Sequence, residues 1–196
     1  WIGPLLILRY ARDHMGWRGY PFVIAAYILA VFIGFGAFFD PPLGVVIVVA
    51  NGLLMSLPYL ADRLMFARLK GFWSTLVFPL AATTLEFVNN QTNPIGVWGA
   101  TGFTQYGNLA IMQLASVTGM IGITFLMGWF ASVANWAWET QARGGRISRG
   151  LGIFGTVLTA VFVFGFLRLN LSPLSETDET IRVAGITTAT QIELME

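Results

Sequence analysis

Fifty-two consecutive residues, Phe87 to Trp138, contain no Asp, Glu, Lys or Arg. Glu86 closes this run in front and Glu139 closes it behind. Soluble domains carry about 25% charged residues, so an uncharged stretch of this length belongs in or against a bilayer. It does not read as one helix. Its first third holds Asn89-Asn90-Gln91-Thr92-Asn93-Pro94, then Gly96, Gly99, Gly102 and Gly107, whereas from Leu109 the breakers thin out and an apolar run reaches Trp138. The expected order is a helix end, a polar uncharged loop and a long membrane helix. Bare backbone polar groups are not tolerated in lipid, so the loop belongs at a membrane surface or inside protein.

The whole chain shares this character, with 56% hydrophobic and 11% charged residues. Its net charge of +1 gives no basis for a nucleic-acid partner. It has no cysteine, which removes disulfides, thiolate metal sites and a cysteine nucleophile from these residues. The lone His14 stands between Asp13 and Met15 and reads as a solvated surface residue. A metal site needs several convergent ligands, so none is expected, and no cofactor motif is present. There is no GxSxG, no HExxH and no phosphate loop, hence no catalytic residue to name.

Trp1–Leu8 is apolar but too short to cross a bilayer, which takes about 20 residues. No initiator Met or basic leader precedes it, so it reads as the tail of an upstream helix in a chain cut at its front. Arg9, Arg12, Asp13 and Arg18 then form a charged loop. Five spans are predicted: Tyr20–Phe39, Leu43–Ala61, Gly71–Val88, Leu109–Trp138 and Gly150–Leu167. Asp40-Pro41-Pro42 stops the first, Pro58 lies near the exit of the second, and Pro79 interrupts the third. Small residues four apart in the fourth span, Ala115/Gly119, Thr118/Gly122 and Gly128/Ser132, suit close helix packing.

The basic residues set an orientation. Nine of the eleven fall in three segments, 9–18, 62–70 and 139–149, and five spans put all three on one side. The positive-inside rule makes that side cytoplasmic. The loop at 89–108 and the C-terminal end then face away from the cytoplasm. Beyond the last span, 171–180 is a polar, acidic linker, and Ile181–Ile186 reads as a β-strand opening a further domain over 181–196.

Glu86 is the one carboxylate expected to be buried, about a turn before its helix ends. It has two readings: an interfacial group reaching headgroup water, or a group facing a cavity or partner, as ionisable residues in spans usually do. Trp98, Phe103 and Tyr106 read most simply as an interfacial aromatic belt.

A series of short motifs now becomes informative through its order. Pro79, Leu85-Glu86-Phe87, Asn93-Pro94, Trp98-Gly99, Gly102-Phe103-Thr104-Gln105 and Leu114-Ala115…Gly119…Gly122…Phe125 follow one another. The series resembles bacterial apolipoprotein N-acyltransferases, with their Pro, Leu/Thr-Glu-Phe, Pro-Trp, Gly-Tyr-Ser-Gln and Leu-Ala-Pro…Gly…Gly…Phe pattern. Phe103-Thr104 stands where that family has Tyr-Ser, and Ile95-Gly96-Val97 separates Pro94 from Trp98. The likeness runs from Phe72 to Ile186; the first seventy residues match in hydropathy alone.

The resemblance implies an α-helical polytopic membrane domain over 1–170, of five spans plus the tail of an upstream helix. It also implies that 181–196 begins a truncated αββα carbon–nitrogen hydrolase (nitrilase-like) domain outside the cytoplasm. The place is the bacterial inner membrane. The implied reaction moves an acyl chain from a phospholipid donor to the diacylglyceryl-cysteine of a lipoprotein acceptor, through a Cys thioester with a Glu base and an oxyanion-stabilising Lys. None of those three can be placed in these residues. Glu86, Asn93, Pro94, Trp98, Gln105 and Tyr106 are the candidates for the substrate and lipid cavity, none of them catalytic. Two other classes stay open: a membrane-anchored amidase or nitrilase using water as acceptor, and a non-catalytic membrane scaffold or transporter.

Overall fold

The computed structural model describes residues 1–14, 19–35, 40–66, 68–69, 71–92, 96–97 and 99–171. Among them every regular element is helical: α1 (Ile2–Asp13), α2 (Tyr20–Phe35), α3 (Leu43–Met65), α4 (Val77–Thr92), α5 (Leu109–Met112), α6 (Ala115–Ala142) and α7 (Ser148–Leu171). Two 3-10 turns, Phe72–Leu76 and Thr101–Gln105, precede α4 and α5. The predicted strand at 181–186 lies outside the described residues, as does the linker except for Leu171, which ends α7.

The bundle is built around α6. From Ile123 to Trp136 it is buried on nearly every side, as expected of a helix enclosed by others. Helices α1, α4, α5 and α7 and both 3-10 turns pack on it. Leu126, Trp129 and Val133 form one core with Phe154 of α7, and Ile123 and Met127 form another with Ile111 of α5. A third core joins Leu8 and Ala11 of α1 to Val23, Tyr59 and Phe78. By contrast α7 buries only Gly150, Phe154 and Gly165. Its remaining surface, like that of α2 and α3, carries exposed Phe, Leu and Val, the surface a bilayer solvates rather than water.

Among the described residues three helices are long and apolar enough to cross a membrane: α3, α6 and α7. These correspond to the second, fourth and fifth predicted spans. The first and third correspond to α2 and α4, of sixteen described residues each; 36–39 of the first span lie outside the described residues, and the 3-10 turn Phe72–Leu76 leads directly into α4. The interruption expected at Pro79 takes the form of a junction: the 3-10 turn Phe72–Leu76 gives way to α-helix at Val77, and Pro79 is the third residue of α4.

The fourth predicted span is likewise not one helix. Asn108 caps a single turn, its Oδ1 accepting the Ile111 N–H at 3.2 Å. Ser116 Oγ and Thr118 Oγ1 then bond the Gln113 and Leu114 carbonyls, local alternatives to the helix ladder. Gly119 breaks the path with φ 66° and ψ −172°, a conformation that only glycine adopts without strain. Continuous helix follows that residue. The pair Gly128/Ser132 lies buried on α6, and a Cβ at Gly128 would sit 3.3 Å from Pro79, so this pair does mark a close helix approach. The Ala115/Gly119 pair and Thr118 fall at the break instead.

Of the segment predicted as a charged loop from Arg9, the residues to Asp13 are the end of α1, and 15–18 lie outside the described residues. Leu8, Ala11 and Arg12 share one face against α3 and α6, and Arg12 is buried. Asp62, placed by sequence in a basic loop, is the last buried residue of α3, on the face of Gly44, Val48, Gly52, Ser56 and Tyr59. The expectation of a single buried carboxylate is therefore corrected to two among the described residues, Glu86 and Asp62. Arg12 donates to Asp62 through Nε and Nη2, both at 2.9 Å, and Nη2 also donates to Ser132 Oγ at 3.0 Å. One side chain thus fastens α1, α3 and α6. His14 is exposed, as expected, with its ring stacked on Tyr10.

Gly52 sets the α2–α3 distance. A Cβ there would lie 2.5 Å from Ile28 Cγ1 and 2.7 Å from Ile28 Cα. Gly52→Ala is expected to lower stability by about 1–3 kcal/mol through overpacking, whereas Gly34→Ala, with nothing within 4 Å, leaves it unchanged. Melting of the two variants in detergent checks this, and equal melting temperatures would refute the close approach.

Candidate functional site around Glu86

Helices α4 and α6 run antiparallel, and this brings Glu86 opposite the start of continuous helix in α6. The carboxylate is 8% exposed. Its Oε1 accepts from Thr124 Oγ1 at 2.7 Å, and its Oε2 accepts the Thr101 N–H at 3.1 Å. Both oxygens are therefore engaged, one by a neighbouring helix and one by the backbone of the uncharged loop. This satisfies a polar group that would otherwise be costly to bury. Thr83, one turn earlier, spends its hydroxyl on the Pro79 carbonyl at 2.7 Å.

Thr101 begins the 3-10 turn that ends at Gln105, so Glu86 anchors the element carrying the second candidate. Gln105 Oε1 accepts from Trp1 Nε1 at 2.8 Å, and its Nε2 donates to Thr104 Oγ1 at 3.3 Å. Tyr106 follows and is 79% exposed. Gly102 lets the turn lie on α6, since a Cβ there would meet the Met120 carbonyl oxygen at 2.8 Å. Glu86 and Gln105 thus belong to one assembly without bonding each other. Asn93, Pro94 and Trp98 lie outside the described residues.

Behind the carboxylate is a small cavity of about 110 Å³. Tyr27, Tyr59, Glu86, Thr101, Thr124 and Met127 are among its walls. The two tyrosine hydroxyls lie 2.7 Å apart. At roughly 30 Å³ of liquid volume per water the space suits a few waters or one small polar group. It is far below the 300–1,000 Å³ of pockets that enclose a drug-sized ligand. The arrangement can hold a loop, a carboxylate and a small polar volume in register. No group of three or more His, Cys, Asp or Glu capable of holding a metal exists among the described residues.

Sequence reasoning found Glu86 and Gln105 but missed Thr124 and Thr101 as partners, and Tyr27 and Tyr59 as walls. Thr124 carried a weak signal, as a hydroxyl within the apolar run of α6. Thr101 acts through its backbone N–H, which no side-chain pattern reveals.

No curated protein and no solved structure matches the chain. A family model does: the apolipoprotein N-acyltransferase N-terminal domain matches residues 2–133. The match reaches across the first seventy residues, where the motif series gave only hydropathy, and so includes both Arg12 and Asp62. It also contains Glu86, the whole uncharged loop and the first half of α6. On that span the chain belongs to the apolipoprotein N-acyltransferase family, as a helical membrane domain of its N-terminal kind.

Proposed function

We propose that this chain forms the membrane part of an enzyme that transfers an acyl chain from a phospholipid to the α-amino group of a lipoprotein's diacylglyceryl-cysteine. The observation that carries the reading is the family match over 2–133, within which Glu86 ties the uncharged loop to α6. Residues 1–170 are the membrane domain, 171–180 the linker and 181–196 the opening of a carbon–nitrogen hydrolase domain. The basic segments face the cytoplasm of a bacterial cell, with the 89–108 loop and the hydrolase domain on the outer side of the inner membrane.

The chemistry follows the order of a covalent acyl transfer. A thiolate attacks the phospholipid ester and the lysolipid leaves. The lipoprotein amine then attacks the thioester, and the thiol is released as the amide forms. The thiol belongs to the hydrolase domain, since these 196 residues have no cysteine. The part of this segment is positional: Glu86, Asn93, Pro94, Trp98, Gln105 and Tyr106 border the place where both lipids meet. The uncharged loop suits that task, because its amides bond ester and headgroup oxygens at about 1 kcal/mol net each and release them without breaking an ion pair.

Membranes containing the full-length protein, given phospholipid with a tagged acyl chain and a diacylated lipopeptide, are expected to yield the tagged triacylated lipopeptide by mass spectrometry. Release of tagged fatty acid with no triacylated product would replace the transferase by a hydrolase. Neither product would reduce the chain to a non-catalytic membrane protein.

A further inference from the structure

A second cavity lies at the end of the bundle away from Glu86. The pairing of α4 with α6 fixes this: Glu86 meets Thr124, Gly128 packs on Pro79, Trp129 Nε1 donates to Thr75, and the Phe72 and Trp136 rings lie 5.2 Å apart. Beyond Phe72 a cavity of about 750 Å³ opens between the first 3-10 turn, the end of α6 and the start of α7. Phe72, Trp73 and Trp136 line its apolar part; Arg143, Arg146 and Arg149 line its polar part. Among the described residues none of these three arginines forms an ion pair. The acid on the same wall, Glu139, faces Arg9 at 3.8 Å. Three exposed guanidinium groups around one aromatic-floored cavity thus outnumber the single carboxylate among its described lining residues.

A second observation sets the shape of what would supply it. An apolar groove of about 680 Å³ runs between α3 and α4 and shares Leu69 and Trp73 with the arginine cavity. Leu80, Thr84 and Val88 line it from α4, and Leu57, Ala61 and Met65 from α3. From Trp73 to Val88 it extends about 20 Å at helical rise. A cavity rimmed by three cations therefore adjoins a long apolar groove, with Leu69 and Trp73 as their common wall.

We propose that cavity and groove together form a binding site for one anionic phospholipid, its phosphate among Arg143, Arg146 and Arg149 and an acyl chain along α3 and α4. Charge selects the class. Guanidinium forks match phosphate oxygens in two-bond geometry, and a zwitterionic headgroup would bring its own ammonium into a site that already holds three cations. A free phosphate would leave the groove unused. The site is separate from the Glu86 assembly and does not depend on the acyl-transfer reading. In the orientation proposed above it faces the cytoplasmic leaflet, where basic pockets between membrane helices take anionic headgroups.

The test is native mass spectrometry of the detergent-purified protein with phosphatidylglycerol or phosphatidylcholine of identical chains. Phosphatidylglycerol is expected to be retained at least about tenfold more. Equimolar glycerol phosphate should not displace it. The variant combining Arg143→Gln, Arg146→Gln and Arg149→Gln should hold the two lipids nearly equally, while the matching Lys variant keeps most of the preference. Thr84→Trp, at an exposed position that fills the groove, should lower phosphatidylglycerol retention several-fold and gives an independent reading if the triple variant does not fold. Equal retention of the two lipids by the parent protein would overturn the site. So would displacement by glycerol phosphate, which marks a soluble anion as the ligand, or preference surviving the Gln variant, or retention unchanged in Thr84→Trp.

Discussion

Asp62→Ala is expected to destabilise the bundle by about 3–5 kcal/mol, the usual cost of leaving one partner of a buried ion pair alone. Arg12 and Asp62 are both buried, and two hydrogen bonds of 2.9 Å join them. Arg12 has little else to turn to. Its guanidinium lies 3.7 Å from the Phe66 ring centroid, its Nη1 is buried without a hydrogen-bond partner, and Ser132 accepts only one bond. Removing the carboxylate leaves a cation facing aromatic carbon and one hydroxyl, among three helices. The paired variant Arg12→Met with Asp62→Leu should recover most of the loss, because replacing a buried pair by apolar groups of similar volume is often neutral or better. Denaturant unfolding in detergent on the parent, Arg12→Met, Asp62→Leu and the double variant closes the cycle. If Asp62→Ala unfolds within about 1 kcal/mol of the parent, the pair is not what fastens α1 to α3.

The second large effect is at Glu86, where two substitutions separate shape from charge. Glu86→Ala removes acceptors from both Thr124 Oγ1 and the Thr101 N–H. With hydrogen bonds to charged groups worth about 1.5–3 kcal/mol each, the loss is expected to be about 3 kcal/mol, and the loop should open to protease first. Glu86→Gln keeps both contacts if its oxygen takes the Thr101 N–H and its amide donates to a rotated Thr124 hydroxyl. Its melting temperature should therefore stay near that of the parent. On the proposed function the same variant cuts acyl transfer at least tenfold, since the charge at the border of the lipid cavity is gone. Full transfer by Glu86→Gln would make Glu86 a tie and nothing more. Early melting of both variants would show that the charge itself holds the loop.

These expectations mark where sequence was sufficient. The membrane class, the helices α3, α6 and α7, the loop ahead of α6 and the place of Glu86 near a helix end were legible because each depends on local composition. A run of apolar residues enters lipid whatever lies elsewhere in the chain, and Pro and Gly clusters favour helix ends, although Asn89 to Thr92, predicted as loop, continue α4. The family motifs were legible in the same way, as short segments in a fixed order. A stripe in α3 was also present to be followed: Gly44, Val48, Gly52 and Ser56 recur every four residues, and continued through Tyr59 the stripe reaches Asp62. Charge obscured it, since a carboxylate next to Arg63 reads as loop.

What only the tertiary structure decided are the matters that depend on partners far apart in the chain. Arg12 and Asp62 are buried because each meets the other across fifty residues; alone, neither could leave water without a penalty of several kcal/mol. Glu86 is tied rather than free because Thr124 and a backbone N–H arrive from two later elements. The break at Gly119 depends on the alternative bonds of Ser116 and Thr118 and on the turn packed beside Met120, and its glycine is one of several that hydropathy treats alike. Local composition chose the solvent and the helices. The placing of charge inside them was settled by packing, since burying a charge is tolerable only where the fold supplies its partner.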